Sequence, residues 1–585
     1  MTDRITVIAI VLSTWMGNAQ QPNAKLHQLF EEYYTRANAL DPKMATLNGI
    51  HDHNDELPAD DKAHLKKKHD FYKKTLRQLQ VFANQPLNPE DRISYAILKE
   101  ELDLALKLEK YHPEYMPITQ MAGMPTQLAM FGSGNSAQPF KTVADYDNWL
   151  KRCKAFSRWT DVAIDNMRTG LRTGMVLPVP VVERVIPQMQ ALAGNVPESS
   201  FYAPTAKFPD GFSQEEQHRL SREFKDVIPT YVFGSMQKLA DFLSNEYLPK
   251  ARLTSGINAL PNGAAMYRDY IFAKTTTHAK PAEIHQLGLL EVARITSEME
   301  KIRASISFEG TLNELFVFMK TDSRFMPYRT DQEIIDAFHA IHETIRPNLP
   351  KFFGIAPETP FEIRKTEEYR AASASAQYIR GDLPGKRPGI FYFPILDPAK
   401  VNVTSTDMES LFLHEAIPGH HFQISIQYEN TSAPRFRQKY SNSAFVEGWA
   451  LYTESLGKDL GLYTNVYHQL GALGAEIHRA IRLVVDSGLH TGKMNRESAI
   501  IYMLEHEAIG EDKATAEIER YMAMPAQALS YKIGELKIKE LRDKYAIQLG
   551  ARFSIRDFHD TILKGGAMPL TVFEKYMDRW ADSVR

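Results

Sequence analysis

The sequence contains only one cysteine, Cys153, among 585 residues. An intramolecular disulfide is therefore impossible, and a metal site built from several thiolates is excluded. Any metal ligands must come from histidine, aspartate and glutamate. If the protein is exported, core packing alone has to stabilise its fold.

An excess of one charge and long apolar runs are also lacking. Lysine and arginine together number 69, aspartate and glutamate number 72, and neither sign forms a long run. This balance gives no electrostatic support for a nucleic-acid partner or a polybasic membrane contact. After the N-terminal segment, no apolar stretch reaches the roughly 18 residues that a membrane span needs. We expect a soluble mature protein that acts on a small molecule or a peptide.

The N-terminal segment has the outline of a secretory signal peptide. Residues 1–19 read MTDRITVIAIVLSTWMGNA, in which Arg4 precedes an apolar run and small residues precede Gln20. We predict cleavage after this segment and export, with a periplasmic location. No cysteine lies near the cleavage point, which argues against a lipid anchor. The alternative is an apolar cap on the first helix of a cytoplasmic protein.

Most of the chain has a helical pattern. Apolar residues recur at three- and four-residue steps, as in LHQLFEEYYTRANAL, and 43% of all residues are hydrophobic. This predicts a mainly α-helical protein with a large core. Between 361 and 396, short stretches rich in β-branched and aromatic residues, such as GIFYFPIL, predict a small sheet. The Pro- and Gly-bearing stretches 111–140 and 176–211 predict long surface loops.

Residues 411–427, LFLHEAIPGHHFQISIQ, nearly match a zinc-hydrolase signature. That signature, H-E-x-x-H, places two His ligands one helical turn apart, with the Glu as general base. His414 and Glu415 fit it, but Pro418 stands where the second His is required. Because Pro418 and Gly419 both oppose a continuous helix, we expect a kink or a bulge after Glu415.

Two histidines are candidates for the second ligand. On an undistorted helix, 100° per residue brings His421 to within about 20° of the face that carries His414. If Pro418 and Gly419 instead form a two-residue bulge, His420 moves into the place of the missing ligand. We favour His420 because two helix breakers stand at this point, and His421 stays open as the alternative.

The segment SAFVEGWALYTESLG offers the third ligand. Glu447 and Glu454 stand seven residues apart on an amphipathic helical pattern and so share a face. Zinc hydrolase sites of this type take two His and one Glu and keep a fourth position open for water. One carboxylate suits a ligand and the other a neighbour that orients a ligand. Zn²⁺ is therefore the predicted cofactor.

Four segments in order, HEAIPGHHFQ, FVEGWALYTE, RLVVDSGLH and PAQALSYKIGELKI, resemble a known family. The chain is similar to the bacterial proteins of domain of unknown function 885 (DUF885), regarded as relatives of helical zinc peptidases such as angiotensin-converting enzyme and thimet oligopeptidase. The resemblance is dense between about 388 and 569. It implies a large two-lobed, helical, zincin-like fold with a small sheet next to the catalytic helix. We expect a helical lobe at 20–350 and a catalytic lobe at 351–585.

Carried over position by position, the resemblance implies that His414, His420 and Glu447 bind zinc and that Glu415 is the general base. We expect these four side chains to lie together in the folded protein. Among the acidic pair, Glu454 stays open as the alternative ligand.

The resemblance also draws attention to His490 in DSGLH and Tyr531 in ALSYK as donors to a reaction oxyanion. His490 could equally be a histidine at the C-terminal end of a helix, and Tyr531 a packed core aromatic. A second His–Glu pair begins at His506, in HEAIGED, but no other His follows within reach. We interpret that stretch as an exposed, acidic helix end.

These observations predict a zinc-dependent metallopeptidase that cleaves short peptides with metal-activated water. One alternative is a zinc amidase or esterase that acts on a non-peptide substrate. Another is a non-catalytic, zinc-dependent peptide-binding protein, although binding alone does not need a base such as Glu415. The sequence does not indicate the oligomeric state.

Overall fold

A computed structural model describes residues 21–194, 199–366, 375–381, 387–396, 398 and 405–585. The segment predicted to be a signal peptide, residues 1–19, lies outside these ranges. Within them, no helix is both long enough and apolar enough to cross a membrane.

The described chain up to the sheet is mainly helical, and the prediction for this part is confirmed. Its α-helices are Ala24–Leu40, Pro42–Leu47, Lys62–Gln80, Pro89–Leu108, Met124–Gly132, Val143–Thr173, Val179–Leu192, Ala203–Ala206, Gln214–Val227, Gly234–Phe242, Gly263–Thr275, Pro281–Ser305, Leu312–Thr321, Asp331–Ile345 and Leu349–Phe352. Two π-helical segments, Ile228–Phe233 and Leu243–Tyr247, flank Gly234–Phe242.

The prediction of long surface loops is wrong for parts of 111–140 and 176–211. Helices Met124–Gly132 and Val179–Leu192 form there, and each has a proline in its first turn, Pro125 and Pro180. Proline is tolerated in that turn because the N–H groups there have no partner within the helix. Proline thus marks helix starts in these stretches.

The predicted sheet is present and lies immediately before the His414 segment. Its strands are β1 (Phe361–Lys365), β2 (Gln377–Ile379) and β3 (Gly389–Phe393). The strand order is β1-β3-β2, with β1 parallel and β2 antiparallel to β3. In this sheet β2 is therefore an edge strand.

After the sheet the chain returns to helix until its end. The α-helices are Met408–Glu415, His420–Glu429, Arg435–Lys439, Ser443–Glu454, Val466–Thr491, Arg496–His506, Glu511–Ala523, Ser530–Leu549, Ile555–Gly565 and Leu570–Val584. Four of them carry the site and are named by one residue each: the His414, His420 and Glu447 helices, which are Met408–Glu415, His420–Glu429 and Ser443–Glu454, and the Arg479 helix, Val466–Thr491.

The described apolar residues form two buried clusters. One contains the sheet, the His414 helix and helices from both ends of the chain, and the other contains residues between 118 and 325 and between 470 and 528. The Arg479 helix contributes Leu483 to the first cluster and Val484 to the second, so it lies between them. Both clusters draw on sequence before and after residue 350.

Candidate metal centre

The helix that begins at Met408 stops at the predicted break. It ends at Glu415, residues 416–419 form a turn, and the next helix begins at His420. A Cβ on Gly419 would collide with the backbone carbonyls of Leu413 and His414, so only glycine allows the chain to fold back this tightly. The indole Nε1 of Trp449 donates to the carbonyl of Pro418 at 2.9 Å. The turn is thereby tied to the Glu447 helix.

This break brings three predicted ligands together. Nε2 of His414 lies 3.6 Å from Oε2 of Glu447, and Nε2 of His420 lies 3.5 Å from the same oxygen. The three candidate ligand atoms all lie within 4.8 Å of one another, which is the only such group of three among the described residues. Two imidazoles and one carboxylate are a donor set that suits zinc. The residues present therefore fit the predicted ion.

The three side chains are held in a largely buried setting. His414 and His420 are 4% and 8% exposed, and Nδ1 of His420 is buried with no hydrogen-bond partner among the described residues. Burial opposes ionisation of Glu447, but hydrogen bonds from the two imidazoles outweigh it and lower the pKa of this carboxyl well below its usual range. Burial also lowers the pKa of His414, yet Glu447 and Glu454 together raise it to about 9. The cluster thus concentrates opposite charges in a buried space.

Glu454 contacts His414, one of the three predicted ligands. Its Oε1 accepts a hydrogen bond from Nδ1 of His414 at 2.8 Å, and the guanidinium of Arg479 donates to the same oxygen at 3.4 Å. A carboxylate on the second nitrogen of a ligating imidazole fixes its tautomer and ring orientation. The two acidic residues of the segment thus differ in position. Glu447 lies beside Nε2 of His414 and Nε2 of His420, and Glu454 bonds Nδ1 of His414.

Glu415 follows His414 directly and is 9% exposed. The backbone N–H of Tyr378, on edge strand β2, lies close enough to its carboxylate to favour the ionised form. Burial raises the pKa of Glu415, and the charges of His420 and His414 oppose that effect. The predicted base is thus held between the His414 helix and the open edge of the sheet.

His421 faces away from the cluster. Its Nδ1 lies 3.1 Å from the hydroxyl of Tyr378 and 3.3 Å from that of Ser425. Gly389 makes room for this contact, because a Cβ there would lie 2.8 Å from the same nitrogen. Burial lowers the pKa of His421 to about 4. Of the two adjacent histidines, the geometry therefore brings His420 and not His421 to His414.

His490 lies in a different environment. Its Nδ1 accepts from the N–H of Ile257 at 3.2 Å, its Nε2 donates to the carbonyl of Tyr521 at 3.1 Å, and burial lowers its pKa to about 3. Eleven residues, or about 16 Å of helix axis, separate it from Arg479, which contacts Glu454. These contacts engage both ring nitrogens of His490, so its surroundings give no support to the predicted role as an oxyanion donor.

Tyr531 is partly exposed near the start of helix Ser530–Leu549. This helix packs against the Glu447 helix where Gly448 meets Gly534. The guanidinium of Arg482 stacks 4.5 Å from the centre of its ring. A donor role for its hydroxyl stays a prediction.

The sequence interpretation missed the polar face of the Arg479 helix. His478, Arg479 and Arg482 stand there, in the segment AEIHRAIRLVV, whose charged residues recur within an otherwise apolar helix. The interpretation of HEAIGED as an exposed end is wrong for Glu507, which is 7% exposed and bonds Nδ1 of His478 at 2.7 Å. The local pattern could not reveal this partner, because it comes from another helix.

Comparison with known proteins places the chain as follows. A family model described as "Bacterial protein of unknown function (DUF885)" matches residues 42–577. A crystal structure of a "putative lipoprotein" from Colwellia psychrerythraea is similar, with a TM-score of 0.86 and 25% identity over 96% of this chain and 99% of that one. A "putative lipoprotein of unknown function" from Shewanella oneidensis shares the fold, with a TM-score of 0.74 and 19% identity over 95% and 100% of the two chains. No curated protein matches.

Proposed function

The chain belongs to the DUF885 family of bacterial proteins of unknown function, and from its site we propose that it is a zinc-dependent hydrolase that cleaves short peptides. The observation that carries the proposal is the convergence of His414, His420 and Glu447 beside Glu415. A pure binding site would not need a buried carboxylate next to the first ligand. The further likeness to helical zinc peptidases is part of this proposal.

The residues of the site have different roles in the proposed reaction. His414, His420 and Glu447 would hold the ion, and Glu454 fixes the ring of His414 from behind. When bound, zinc polarises a carbonyl group and lowers the pKa of water towards about 7. Glu415 accepts a proton from the water that adds to the peptide carbonyl carbon, and it passes that proton to the amine nitrogen as the C–N bond breaks.

Edge strand β2 gives the substrate a path past Glu415. Along a strand, successive residues direct their N–H and C=O groups to opposite sides. Because the N–H of Tyr378 lies close to the carboxylate of Glu415, the side of β2 that faces away from β3 borders the base. An extended peptide that adds to this edge by main-chain hydrogen bonds would pass next to Glu415.

We also propose that the protein is exported. The proposal rests on the signal-like sequence of residues 1–19, which lies outside the described residues. Two structural neighbours are described as "putative lipoprotein", and lipoproteins are exported proteins.

The decisive test is Glu415→Gln, compared with the parent for zinc content by mass spectrometry and for hydrolysis of a peptide library. We expect about one zinc per chain in both proteins and a loss of turnover of at least about 100-fold in the variant. Glu505→Gln, on an exposed glutamate of helix Arg496–His506, is the matched control and should leave both readouts unchanged. Equal peptide hydrolysis by Glu415→Gln and the parent would overturn the proposal.

A further inference from the structure

Two arginines share a single acidic partner beside the candidate metal centre. Arg482 and Arg520 each donate to Oε2 of Glu517 at 3.2 Å. Nη1 of Arg482 is buried and has no hydrogen-bond partner among the described residues. Buried charges are normally paired and fully hydrogen-bonded, because an unused charged donor is costly. Glu517 is the only carboxylate that either arginine contacts directly among the described residues, and Glu507 reaches Arg482 only through His478.

The two arginines differ in exposure. The side chain of Arg482 is 8% exposed, whereas those of Arg520 and Glu517 are 17% and 24% exposed. The ring of Tyr531, also partly exposed, stacks on Arg482 at 4.5 Å. Arg520 and Tyr531 thus border open space, and Arg482 adds its charge from behind. We call Arg482, Arg520 and Tyr531 the arginine cluster.

The cluster is fixed in place by its surroundings. Lys532, which follows Tyr531, is completely buried and bonds Glu476 at 2.7 Å and Glu291 at 3.0 Å. The hydroxyl of Tyr521 donates to Glu517 at 2.6 Å. These contacts hold the start of helix Ser530–Leu549 against the Arg479 helix, so the side chains of the arginine cluster have defined positions.

The arginine cluster and the candidate metal centre are neighbours along two elements. Arg479 contacts Glu454, and Arg482 follows three residues later on the same helix, about 4.5 Å further along its axis. Tyr531 lies one turn before Gly534, where its helix meets the Glu447 helix at Gly448. A short peptide, at about 3.3 Å per extended residue, can therefore reach both places.

We propose that the arginine cluster binds the C-terminal carboxylate of the peptide substrate. This inference rests on the proposed function and deepens it, because it assigns the protein to the class of enzymes that trim peptides from the C-terminal end. Guanidinium groups bind carboxylates with charge-assisted, often bidentate, hydrogen bonds. The incoming carboxylate would supply the acceptor that Nη1 of Arg482 lacks among the described residues.

The test uses one peptide sequence with four end groups: free or amidated at the C-terminus, and free or acetylated at the N-terminus. For the zinc-loaded parent we expect kcat/KM to fall about 10- to 100-fold on amidation and to change little on acetylation. In Arg520→Met the ratio between acid and amide should move towards one, mainly through a higher KM for the acid. Glu517 keeps Arg482 as a partner in this variant, which favours folding.

Arg496→Met is the matched control. Arg496 bonds Glu519 at 2.7 Å. Glu519 lies on helix Glu511–Ala523, which also carries Arg520, but Arg496 does not belong to the arginine cluster. This variant should keep the full preference for the free acid. As a second readout, calorimetry with Glu415→Gln and the uncleaved peptides should show the same preference in Kd, and Tyr531→Leu should weaken it more than Tyr531→Phe.

The possible failures are distinguishable. Zinc- and Glu415-dependent hydrolysis of acid and amide at equal rates would overturn the carboxylate inference and leave the proposed function standing. An unchanged acid preference in Arg520→Met and Tyr531→Leu would also overturn it. If no peptide is hydrolysed or bound, the proposed function itself fails.

Discussion

Oε1 of Glu454 accepts a hydrogen bond from Nδ1 of His414 at 2.8 Å, while Nε2 of the same ring faces Glu447. Because a carboxylate only accepts hydrogen bonds, Nδ1 carries a proton in this pairing, and Nε2 is the nitrogen that can release its proton and offer a lone pair to a metal ion. A lone pair at Nε2 is what a metal ligand needs. Glu454 therefore prepares His414 for metal binding and does not itself face His420.

The two glutamates should differ in their effect on zinc affinity. We expect Glu447→Ala to lose zinc on dialysis, since it removes an oxygen that both imidazoles face. Glu454→Ala should retain zinc but bind it about 10- to 100-fold more weakly, because it removes only the orienting partner. Competition titration with a chromogenic chelator measures both values. Loss of zinc from Glu454→Ala alone would show that the two roles are reversed.

Replacement of the adjacent histidines, His420 and His421, should affect zinc binding differently. His420→Ala is expected to lose stoichiometric zinc, because it takes one of three donors from the cluster. His421→Ala is expected to keep zinc, since this ring bonds Tyr378 and Ser425 instead. Metal analysis after gel filtration compares the two variants, with circular dichroism to verify folding. A metal-free His421→Ala and a zinc-loaded His420→Ala would contradict the arrangement.

Close packing of two glycines positions the Glu447 helix. A Cβ on Gly448 would lie 2.5 Å from Cα of Gly534, so Gly448→Ala should push the two helices apart and destabilise the protein by about 1–3 kcal/mol. Gly474→Ala is the control, because its Cβ would meet no atom within 4 Å and alanine favours a helix interior by roughly 0.5–1 kcal/mol. Thermal unfolding should show a lower midpoint for the first and an equal or higher one for the second. Equal midpoints for Gly448→Ala and the parent would contradict the role of this contact.

The part of the site that depends on local spacing could be predicted from the sequence. His414 and Glu415 share one helix, and the Pro418–Gly419 pair correctly predicts the break that brings His420 round. The seven-residue spacing of Glu447 and Glu454 predicts their common face, and the apolar periodicity predicts the mainly helical fold that is confirmed here. Whether zinc binds there stays a prediction.

The remaining features depend on tertiary packing. The N–H of Tyr378 lies near Glu415, although its strand is more than thirty residues away in sequence. No periodicity in the sequence predicts such a contact. His490 ends a helix in a way that suits either a site or a core, and only the neighbours Ile257 and Tyr521 show that both of its nitrogens are engaged. Local pattern gives the face of a helix but not the partner that covers it.

Protein stability should depend on the ionisation of Asp486, which is not one of the predicted metal ligands. This carboxyl is completely buried, and it accepts from the hydroxyl of Tyr267 at 2.6 Å and the N–H of Ala526 at 3.1 Å. Burial raises its pKa to about 7 from an ordinary value of 3.8, and these hydrogen bonds oppose the shift only in part.

The sign of the effect follows from proton binding. Between about pH 5 and pH 7 the folded protein holds a proton on Asp486 that the unfolded chain has released, so stability falls as the pH rises. Above about pH 7 both states are ionised and the dependence on this group ends. Asp486→Asn does not titrate, so the parent should lose roughly 1 kcal/mol per pH unit relative to the variant across this window. Chemical denaturation at several pH values measures that difference, and a constant difference from about pH 5 to pH 8 would mean that Asp486 is already ionised in the folded protein.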